Sequence, residues 1–378
     1  MSFEQSAGAF TFILPPKLNA ETTVLVEDQL KLEGVRHLIL DFRNCTYLSS
    51  AGIRTVLMAH KSMLQAQGSM LAANVPPEIV SIFDLTGLSQ IITIKKKLRE
   101  ISIDGVELLS AGVCGECYRL DPETVVKLYR EGVDQETAER EKQYARAAFV
   151  MGIPTAISYD LVACGSRSGI VYEMLDAELL SGLIRNDVSN VDRYAKTLSD
   201  IAKTIHAAEG DPSVLPNLKT SFRGYLQKMQ GYLADSDIQL LADKLETLPD
   251  AATCVHFDLH TSNVMIRKGE PVIIDMGDFS IGSYLFDIGL LYFIYGLPEL
   301  GISMLATRIP ADVGLEFWNC FEKHYFADRS EEEHDLFRNN RYFLASLRLI
   351  FSITFLPLLR AASIRMLQDT ILPRMREE

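Results

Sequence analysis

The sequence has little of what marks secreted, membrane-spanning or nucleic-acid-binding proteins. Only six of its 378 residues are cysteine, too few for a disulfide framework in a chain of this length. The most apolar stretch, between Arg348 and Arg360, holds 11 residues and includes Pro357, whereas a membrane-spanning helix needs about 20. The first five residues lack the basic and apolar regions of a signal peptide. We therefore expect a cytoplasmic protein with reduced thiols and no membrane span.

Positive charge is scarce beyond the first hundred residues. Residues 1–100 hold 10 Lys and Arg against 9 Asp and Glu, whereas the rest of the chain holds 27 against 41, within a net charge of −13. The one basic run, Lys95 to Lys97 with Arg99, is short. Because binding to a phosphate backbone needs clustered cations, we expect no nucleic-acid partner. The length itself predicts two domains.

Strands alternate with helices in the first hundred residues, which is typical of a small α/β domain. Apolar runs indicate the strands, and apolar residues spaced by three and four indicate the helices. Pro77 at a first helical turn and Gly87 at a helix end mark the limits of the last helix. The predicted strands cover 9–15, 38–42 and 69–75, and the predicted helices cover 20–33, 53–64 and 77–87.

Ser49 and Ser50 stand where the second strand gives way to a helix. Hydroxyl groups at a helix N-terminus can cap the helix, and the same position attracts a phosphate, so the two residues alone leave both interpretations open. The surrounding segments resemble the STAS domain of bacterial anti-sigma-factor antagonists over residues 8–95. The segments that carry the resemblance are 37–42, 47–54, 71–75 and 82–87.

The resemblance to a STAS domain implies a small mixed sheet with helices on one face, and a regulatory protein that binds to it. In that family a phosphorylated hydroxyl stands two residues before a glycine and usually follows an aspartate. Ser50 matches the hydroxyl and Gly52 the glycine, whereas Ser49 replaces the aspartate. Ser50 is therefore the candidate phosphoacceptor, and the replacement at Ser49 puts regulation by the family's usual kinase in question.

A glycine turn between predicted strands opens the second part of the chain. Such a turn lets the backbone approach phosphates, and Lys127 on the next strand supplies a positive charge for them. Glu141, on a helix predicted over 135–150, can hold the lysine as in protein kinases. Cys114 and Cys117 form a CxxC, but no second CxxC or histidine pair completes a zinc site. The predicted strands here cover 107–110, 112–120, 124–129 and 169–175.

The residues that most strongly indicate an activity lie in two later segments, His256 to Asn263 and Ile273 to Asp278. Asp258, Asn263 five residues later and Asp275 at the end of an apolar strand form a set that can bind a divalent metal and orient a hydroxyl group. Phosphoryl transfer depends on such fixed geometry and charge neutralisation.

Residues 107–325 resemble the kinase-like phosphotransferases of the aminoglycoside and choline kinase type. Their signature is His-Gly-Asp-Leu-His-x-x-Asn, then Ile-Asp and a later Asp-Leu; here Phe257 replaces the glycine and Asp287-Ile288 matches the later pair. The glycine turn, Val-Lys-Leu-Tyr and Ile-Asp-Met-Gly-Asp are closer still to bacterial members described as serine/threonine kinases. The resemblance implies an α+β bilobal protein-kinase-like fold. The expected domains are a STAS domain at 1–98, a linker at 99–106, an N-lobe at 107–176 and a C-lobe at 177–378.

The same resemblance implies ATP with Mg²⁺ or Mn²⁺ as cofactors and assigns the site. Asp258 is the catalytic base or hydroxyl-orienting residue, and Asn263 and Asp275 bind the metal. Asp287 supports the catalytic loop, as does His256; His260 is structural or close to the metal, and Asp278 assists the metal or contacts substrate. The expected nucleotide-binding residues are Gly112, Val113, Cys114, Gly115, Lys127, Glu141, Glu173 and Leu175.

The sequence leaves three hypotheses for the function. The chain is a serine/threonine protein kinase of a partner-switching system, a small-molecule hydroxyl kinase, or a nucleotide-binding pseudokinase scaffold. Eleven residues between Asp275 and Asp287 are few for a peptide-docking segment, while the attached STAS domain offers a protein acceptor. Transfer of AMP instead of a phosphoryl group also stays open. We favour the protein kinase.

Overall fold

The computed structural model describes residues 3–6, 9–30, 32 and 34–377. The chain forms two compact units. The first comprises Met1–Ser102 and Val162–Ser166, and the second comprises Ile103–Leu161 and Arg167–Glu378. The division between Ser102 and Ile103 falls inside the expected linker, 99–106, which also contains a two-residue strand, Arg99–Glu100.

The first unit has the alternating strands and helices that the sequence predicts. Lys31 and Glu33, at the end of the helix predicted over 20–33, lie outside the described residues. The strands are β1 Phe3–Ser6, β2 Ala9–Ile13, β3 Lys17–Leu18, β4 His37–Asp41, β5 Tyr47–Leu48, β6 Ser69–Val75, β7 Thr93–Lys96 and β8 Arg99–Glu100. The helices are α1 Ala20–Gln29, α2 Ser50–Gln65 and α3 Pro77–Thr86.

The main sheet of this unit is mixed, as predicted. Its order is β1-β2-β4-β6-β7; β1 and β2 are antiparallel and the other neighbours are parallel. Phe12, Leu40 and Ala72 line up in register across three of these strands and are almost fully buried. Gly87 ends α3 with a left-handed φ of 75°, a conformation that glycine adopts without strain.

The second unit joins a β-rich part to a larger helical part. The strands are β9 Glu107–Ala111, β10 Gly115–Arg119, β11 Thr124–Tyr129, β12 Ser158–Cys164, β13 Arg167–Glu173, β14 Glu178–Leu179, β15 Cys254–Val255, β16 Val264–Arg267, β17 Glu270–Ile273 and β18 Ser280–Ile281. Residues 162–164 of β12 are counted with the first unit. The helices are α4 Gln135–Val150, α5 Leu180–Asn186, α6 Val191–Ala207, α7 Leu218–Gln227, α8 Asp235–Thr247, α9 Leu285–Leu291, α10 Ile302–Thr307, α11 Ala311–Phe326, α12 Glu331–Arg338, α13 Arg341–Phe355, α14 Arg360–Met366 and α15 Leu372–Glu377.

Antiparallel strands in the order β13-β11-β10-β9 carry the glycine turn and the lysine. In the helical part, α9 and α13 cross at Gly289. A Cβ atom there would lie 2.4 Å from the Cβ of Leu344, far inside van der Waals contact, so the crossing requires glycine. Arg348 lies one turn beyond Leu344 on α13 and so stands beside the helix that carries Asp287.

The apolar stretch before Arg360 is a buried helix only in its first part. Ile350 and Ile353 are fully buried on α13, but the helix ends at Phe355 and Leu358 is 90% exposed. Pro357 cannot continue the hydrogen-bond ladder of α13, and the next helix begins at Arg360. Among the described residues, none of the helices has both the length and the apolar character needed to span a bilayer.

Candidate active site

Lys127 and Glu141 meet as the sequence predicts. The lysine Nζ lies 2.9 Å from both carboxylate oxygens of Glu141 and 2.7 Å from Oδ1 of Asp275. Burial lowers the pKa of Lys127, but Asp275 and Glu141 outweigh it and hold that pKa well above its usual range. A fixed ammonium group therefore stands between strand β11, helix α4 and the segment after β17.

Two tyrosines complete the surroundings of Glu141, and neither was expected from the sequence. The hydroxyl group of Tyr172 donates to Oε1 at 2.8 Å, and that of Tyr129 donates to Oε2. Glu141 is 2% exposed, and its charge is balanced by hydrogen bonds and by the lysine. An alternating strand that puts a tyrosine two residues from the lysine, as Tyr129 stands here, is the signal that sequence analysis could have used.

Asp287 fixes the backbone of the loop that carries Asp258. Its two carboxylate oxygens accept from the backbone N–H of His256 at 2.8 Å and of Phe257 at 2.6 Å, and His206 contacts one of them at 3.0 Å. Phe257 has a left-handed φ of 59°, an unfavourable conformation for a residue with a Cβ. The anchored amide groups stabilise this strained turn, which presents the next residue, Asp258. The supporting role expected of Asp287 thus has a geometric basis.

Asp258 and Asn263 form one hydrogen-bonded unit. The Nδ2 group of Asn263 donates to the backbone oxygen of Asp258 at 2.9 Å and to its Oδ2 at 3.0 Å. Because Nδ2 is used in this way, Oδ1 of Asn263 is the atom suited to a cation. Asp275, with φ 63°, could supply a second oxygen to the same cation.

Arg348 was not identified from the sequence, yet it binds the central residue. Its Nη2 lies 2.8 Å from Oδ1 of Asp258, and its Nη1 lies 3.3 Å from Oδ2 of Asp278. Burial opposes ionisation of Asp258, but the guanidinium group holds its pKa at about 2. An arginine flanked on both sides by apolar residues within one helix is the signal that could have found it, because a cation on a mainly buried helix face needs a carboxylate partner.

Asp278 and the two histidines lie around the same carboxylate. Burial and the carboxylates of Asp258 and Asp275 raise the pKa of Asp278 to about 6, in spite of Arg348. Nε2 of His260 lies 3.8 Å from Oδ2 of Asp258, and burial lowers the pKa of this histidine. His256 contacts the backbone oxygen of Ile274 at 3.2 Å. His256 thus links the catalytic loop to the segment before Asp275.

The glycine turn lies at Gly112 to Gly115, with Val113 and Cys114 exposed at its tip. At Gly115 a Cβ would lie 2.3 Å from the backbone oxygen of Leu128, so strand pairing with β11 requires this glycine. At Gly112 the nearest atom would be 3.9 Å away. Gly115 therefore serves the hairpin, and the tip of the turn is open for a ligand.

The expected adenine-binding segment lies at the end of β13. The carboxylate of Glu173 accepts from the backbone N–H of Ile157 at 2.9 Å and binds Arg267 at 3.2 Å. Leu175 is 6% exposed. The side chain of Glu173 thus fixes the strand end, and contact with a base would fall to backbone atoms.

The donor set fits a divalent cation with a polyphosphate. Mg²⁺ uses one or two protein oxygens and completes its shell with phosphates and water, and Asn263 and Asp275 supply two. Within the described residues, no three His, Cys, Asp or Glu side chains form a closed metal cage. Four carboxylates, those of Glu141, Asp258, Asp275 and Asp278, face two cations, Lys127 and Arg348, so added positive charge would be favoured here.

In the first unit, the two serines at the start of α2 have different surroundings. Ser49 is the N-cap: its hydroxyl group accepts from the N–H of Gly52 at 3.4 Å and contacts the backbone oxygen of Leu18 at 3.2 Å. Ser50 is the first residue of the helix and is exposed. Ser49 therefore caps the helix, and Ser50 has the accessible hydroxyl group.

Comparisons with known proteins match both units. The model of the phosphotransferase enzyme family matches residues 106–313, and the STAS domain model matches residues 15–101. The curated "Putative anti-sigma factor antagonist BtrV" of Bordetella bronchiseptica is 31% identical over 97 residues, which are 25% of this chain and 84% of that protein. The solved structure of ADP-bound aminoglycoside phosphotransferase APH(2'')-Ib is 17% identical and covers 79% of this chain and 99% of its own, with a TM-score of 0.51. The STAS domain and the kinase-like fold expected from the sequence are confirmed.

Proposed function

Because the chain belongs to the phosphotransferase enzyme family, we propose that its second unit transfers the terminal phosphoryl group of ATP to a serine or threonine hydroxyl of a protein. The STAS domain would be the docking module or the acceptor. The observation that carries the proposal is the pairing of Lys127 with Glu141 and Asp275 beside an Asp258–Asn263 unit. The charged groups that we propose for phosphoryl transfer all belong to the second unit.

The chemistry assigns a task to each residue. Lys127 would bind ATP phosphates, and Glu141 fixes its position. Asn263 and Asp275 would hold Mg²⁺ or Mn²⁺, which neutralises phosphate charge during transfer. Asp258 would accept a hydrogen bond from the acceptor hydroxyl and orient its oxygen. Its low pKa suits orientation, because a largely dissociative transfer needs little proton abstraction.

Ser50 is the acceptor that we propose. Its exposure and its position at the N-terminus of α2 make the hydroxyl accessible, and free N–H groups there stabilise a phosphate. The added charge of about −1.5 to −2 would change the surface that a regulatory protein meets. The chain would then be both kinase and phosphoprotein in a partner-switching system.

A small-molecule acceptor is the second candidate. The 11 residues between Asp275 and Asp287 contain a short 3-10 turn, Met276–Asp278, and the two-residue strand β18. This segment offers little surface for a peptide. The favoured alternative is therefore a small hydroxyl compound.

The test is to incubate the protein with γ-labelled ATP and Mg²⁺ or Mn²⁺ and to locate the label by mass spectrometry. We expect label on Ser50 in the wild type and in Ser62→Ala, an exposed serine on the same helix, and no label in Ser50→Ala or Asp258→Ala. ATP turnover without labelled protein would favour the small-molecule acceptor. Absence of ATP binding would refute both candidates.

A further inference from the structure

Arg348 connects three groups of the candidate active site. One nitrogen binds Oδ1 of Asp258 at 2.8 Å; the other donates to the backbone oxygen of Phe257 at 3.2 Å and to Asp278 at 3.3 Å. Its partners come from the catalytic loop and from the segment after Asp275. They differ from those of Lys127, whose partners are Glu141 and Asp275.

Aromatic rings of the loop before Asp258 and of helix α13 lie against the guanidinium group. It lies 5.8 Å from the ring centre of Phe257 and 5.0 Å from that of Phe351, within the range of cation–π attraction. Helix α13 is anchored in turn by its close crossing with α9 at Gly289 and Leu344. Since α9 also carries Asp287, the backbone and the carboxylate of the catalytic loop are fixed by two helices in contact.

We propose that Arg348 is a positioning residue for phosphoryl transfer, and that it fixes the Asp258 carboxylate in the orientation that the acceptor hydroxyl requires; this role rests on the function proposed above. Arg348 binds Oδ1 and Asn263 binds Oδ2, so rotation of the carboxylate is blocked at both oxygens. Each oxygen accepts more than one hydrogen bond, so the acceptor hydroxyl keeps a place.

The planar fork of arginine explains why a lysine would not serve. Two different nitrogens reach Asp258 and Asp278 while the guanidinium group lies 5.0 Å from the ring centre of Phe351. The single nitrogen of a lysine cannot make this forked contact with two carboxylates. Loss of Arg348 leaves the carboxylate held only by Asn263. Small displacements of a reacting group cost up to about 100-fold in rate, and we expect this loss in kcat.

The experiment measures the slow hydrolysis of ATP, in which water replaces the acceptor hydroxyl, in the full-length protein with Mg²⁺. The variants are Arg348→Met, Arg348→Lys and, as a matched control, Arg341→Met. Arg341 lies on the same helix, 5.9 Å from the ring centre of Tyr292 and 5.2 Å from that of Tyr342. We expect Arg348→Met to lower kcat roughly 10- to 100-fold with the KM for ATP unchanged. Arg341→Met should retain the wild-type kcat.

The outcomes separate the two proposals. If the wild type hydrolyses ATP but Arg348→Met matches Arg341→Met, or loses its activity through KM, the positioning role is wrong and the proposed function stands. If the wild type neither binds nor hydrolyses ATP, the proposed function fails, and the role of Arg348 fails with it. Should Arg348→Met unfold, Arg348→Lys decides: a folded variant with the same kcat defect supports the role, and one with wild-type kcat overturns it.

Discussion

Asp258 and Asp278 bind the same guanidinium group, yet their pKa values lie on opposite sides of the ordinary value. Arg348 is closer to Asp258, at 2.8 Å against 3.3 Å, and Asn263 donates to Asp258 as well. Asp278 is partly buried near two other carboxylates, and both the burial and these charges disfavour its charged form. One carboxylate is therefore ionised throughout the physiological range, while the other titrates near pH 6.

The titration of Asp278 predicts a pH-dependent stability. A carboxyl group whose pKa is raised to about 6 on folding stabilises the protein below its unfolded pKa of about 3.9, and this contribution is lost as the pH rises through 6. Relative to Asp278→Asn, the wild type should lose up to about 3 kcal/mol of unfolding free energy between pH 4 and 7. Urea unfolding of both proteins with a chelator measures this difference.

A matched variant tests whether the effect is specific. Asp328→Asn removes a carboxylate whose side chain is 68% exposed in a pair with Lys203, and its stability should follow the wild type at each pH. An unfolding difference between wild type and Asp278→Asn that stays constant from pH 4 to 7 would contradict the raised pKa.

The parts of the site that lie in short motifs could be predicted from the sequence. Asp258 and Asn263 are five residues apart on one loop, so their short separation along the chain brings the two side chains into contact. Lys127 and Glu141 come from a strand and the following helix, a pairing that chain order makes recognisable. Arg348 is 90 residues beyond Asp258 and reaches it only because α13 packs against α9. That contact depends on tertiary packing, which no spacing encodes.

The crossing of helices α9 and α13 leaves no room for a side chain at Gly289. We predict that Gly289→Ala lowers the unfolding free energy by about 1–3 kcal/mol, because the new methyl group would meet both the side chain and the backbone of Leu344. It should also reduce ATP turnover, since α13 positions Arg348. Chemical denaturation and the hydrolysis assay measure the two effects.

Gly224→Ala is the control for this prediction. Gly224 is also helical, on α7, but a Cβ there would meet nothing within 4 Å. Alanine is favoured over glycine in a helix by about 0.5–1 kcal/mol, so this variant should be slightly more stable than the wild type. Equal effects of the two substitutions would show that the crossing is not sterically limited.

Elements with a clear local pattern of apolar residues could be predicted. The predicted helix 135–150 and strand 69–75 have the same limits in the structure. In the apolar stretch between Arg348 and Arg360, α13 ends at Phe355, just before Pro357. Apolar composition alone did not show that Leu358 is exposed. Leu358 lies after the end of α13, so it is not on the buried face of that helix.

At the scale of the whole chain, each unit has its own hydrophobic core. We predict two transitions in calorimetry, and we expect ATP with Mg²⁺ to move only one of them. Ligand at about 100 times its Kd adds about 2.7 kcal/mol, which corresponds to an upward shift of roughly 5 °C. A chelator should remove the shift. A single transition that moves as a whole with ATP would show that the units unfold together.

The carboxylate of Glu141 binds three side chains, and these contacts limit how the enzyme can be regulated. Many protein kinases are switched off by an outward movement of the helix that carries this glutamate. Here such a movement would leave the hydroxyl groups of Tyr129 and Tyr172, and the ammonium group of Lys127, without their Glu141 partner. Each buried group left without its partner costs about 1–3 kcal/mol, so an off state of this kind would hold a negligible share of the population. We expect inhibitors that need a displaced helix to find no pocket, and control to act through access of the acceptor.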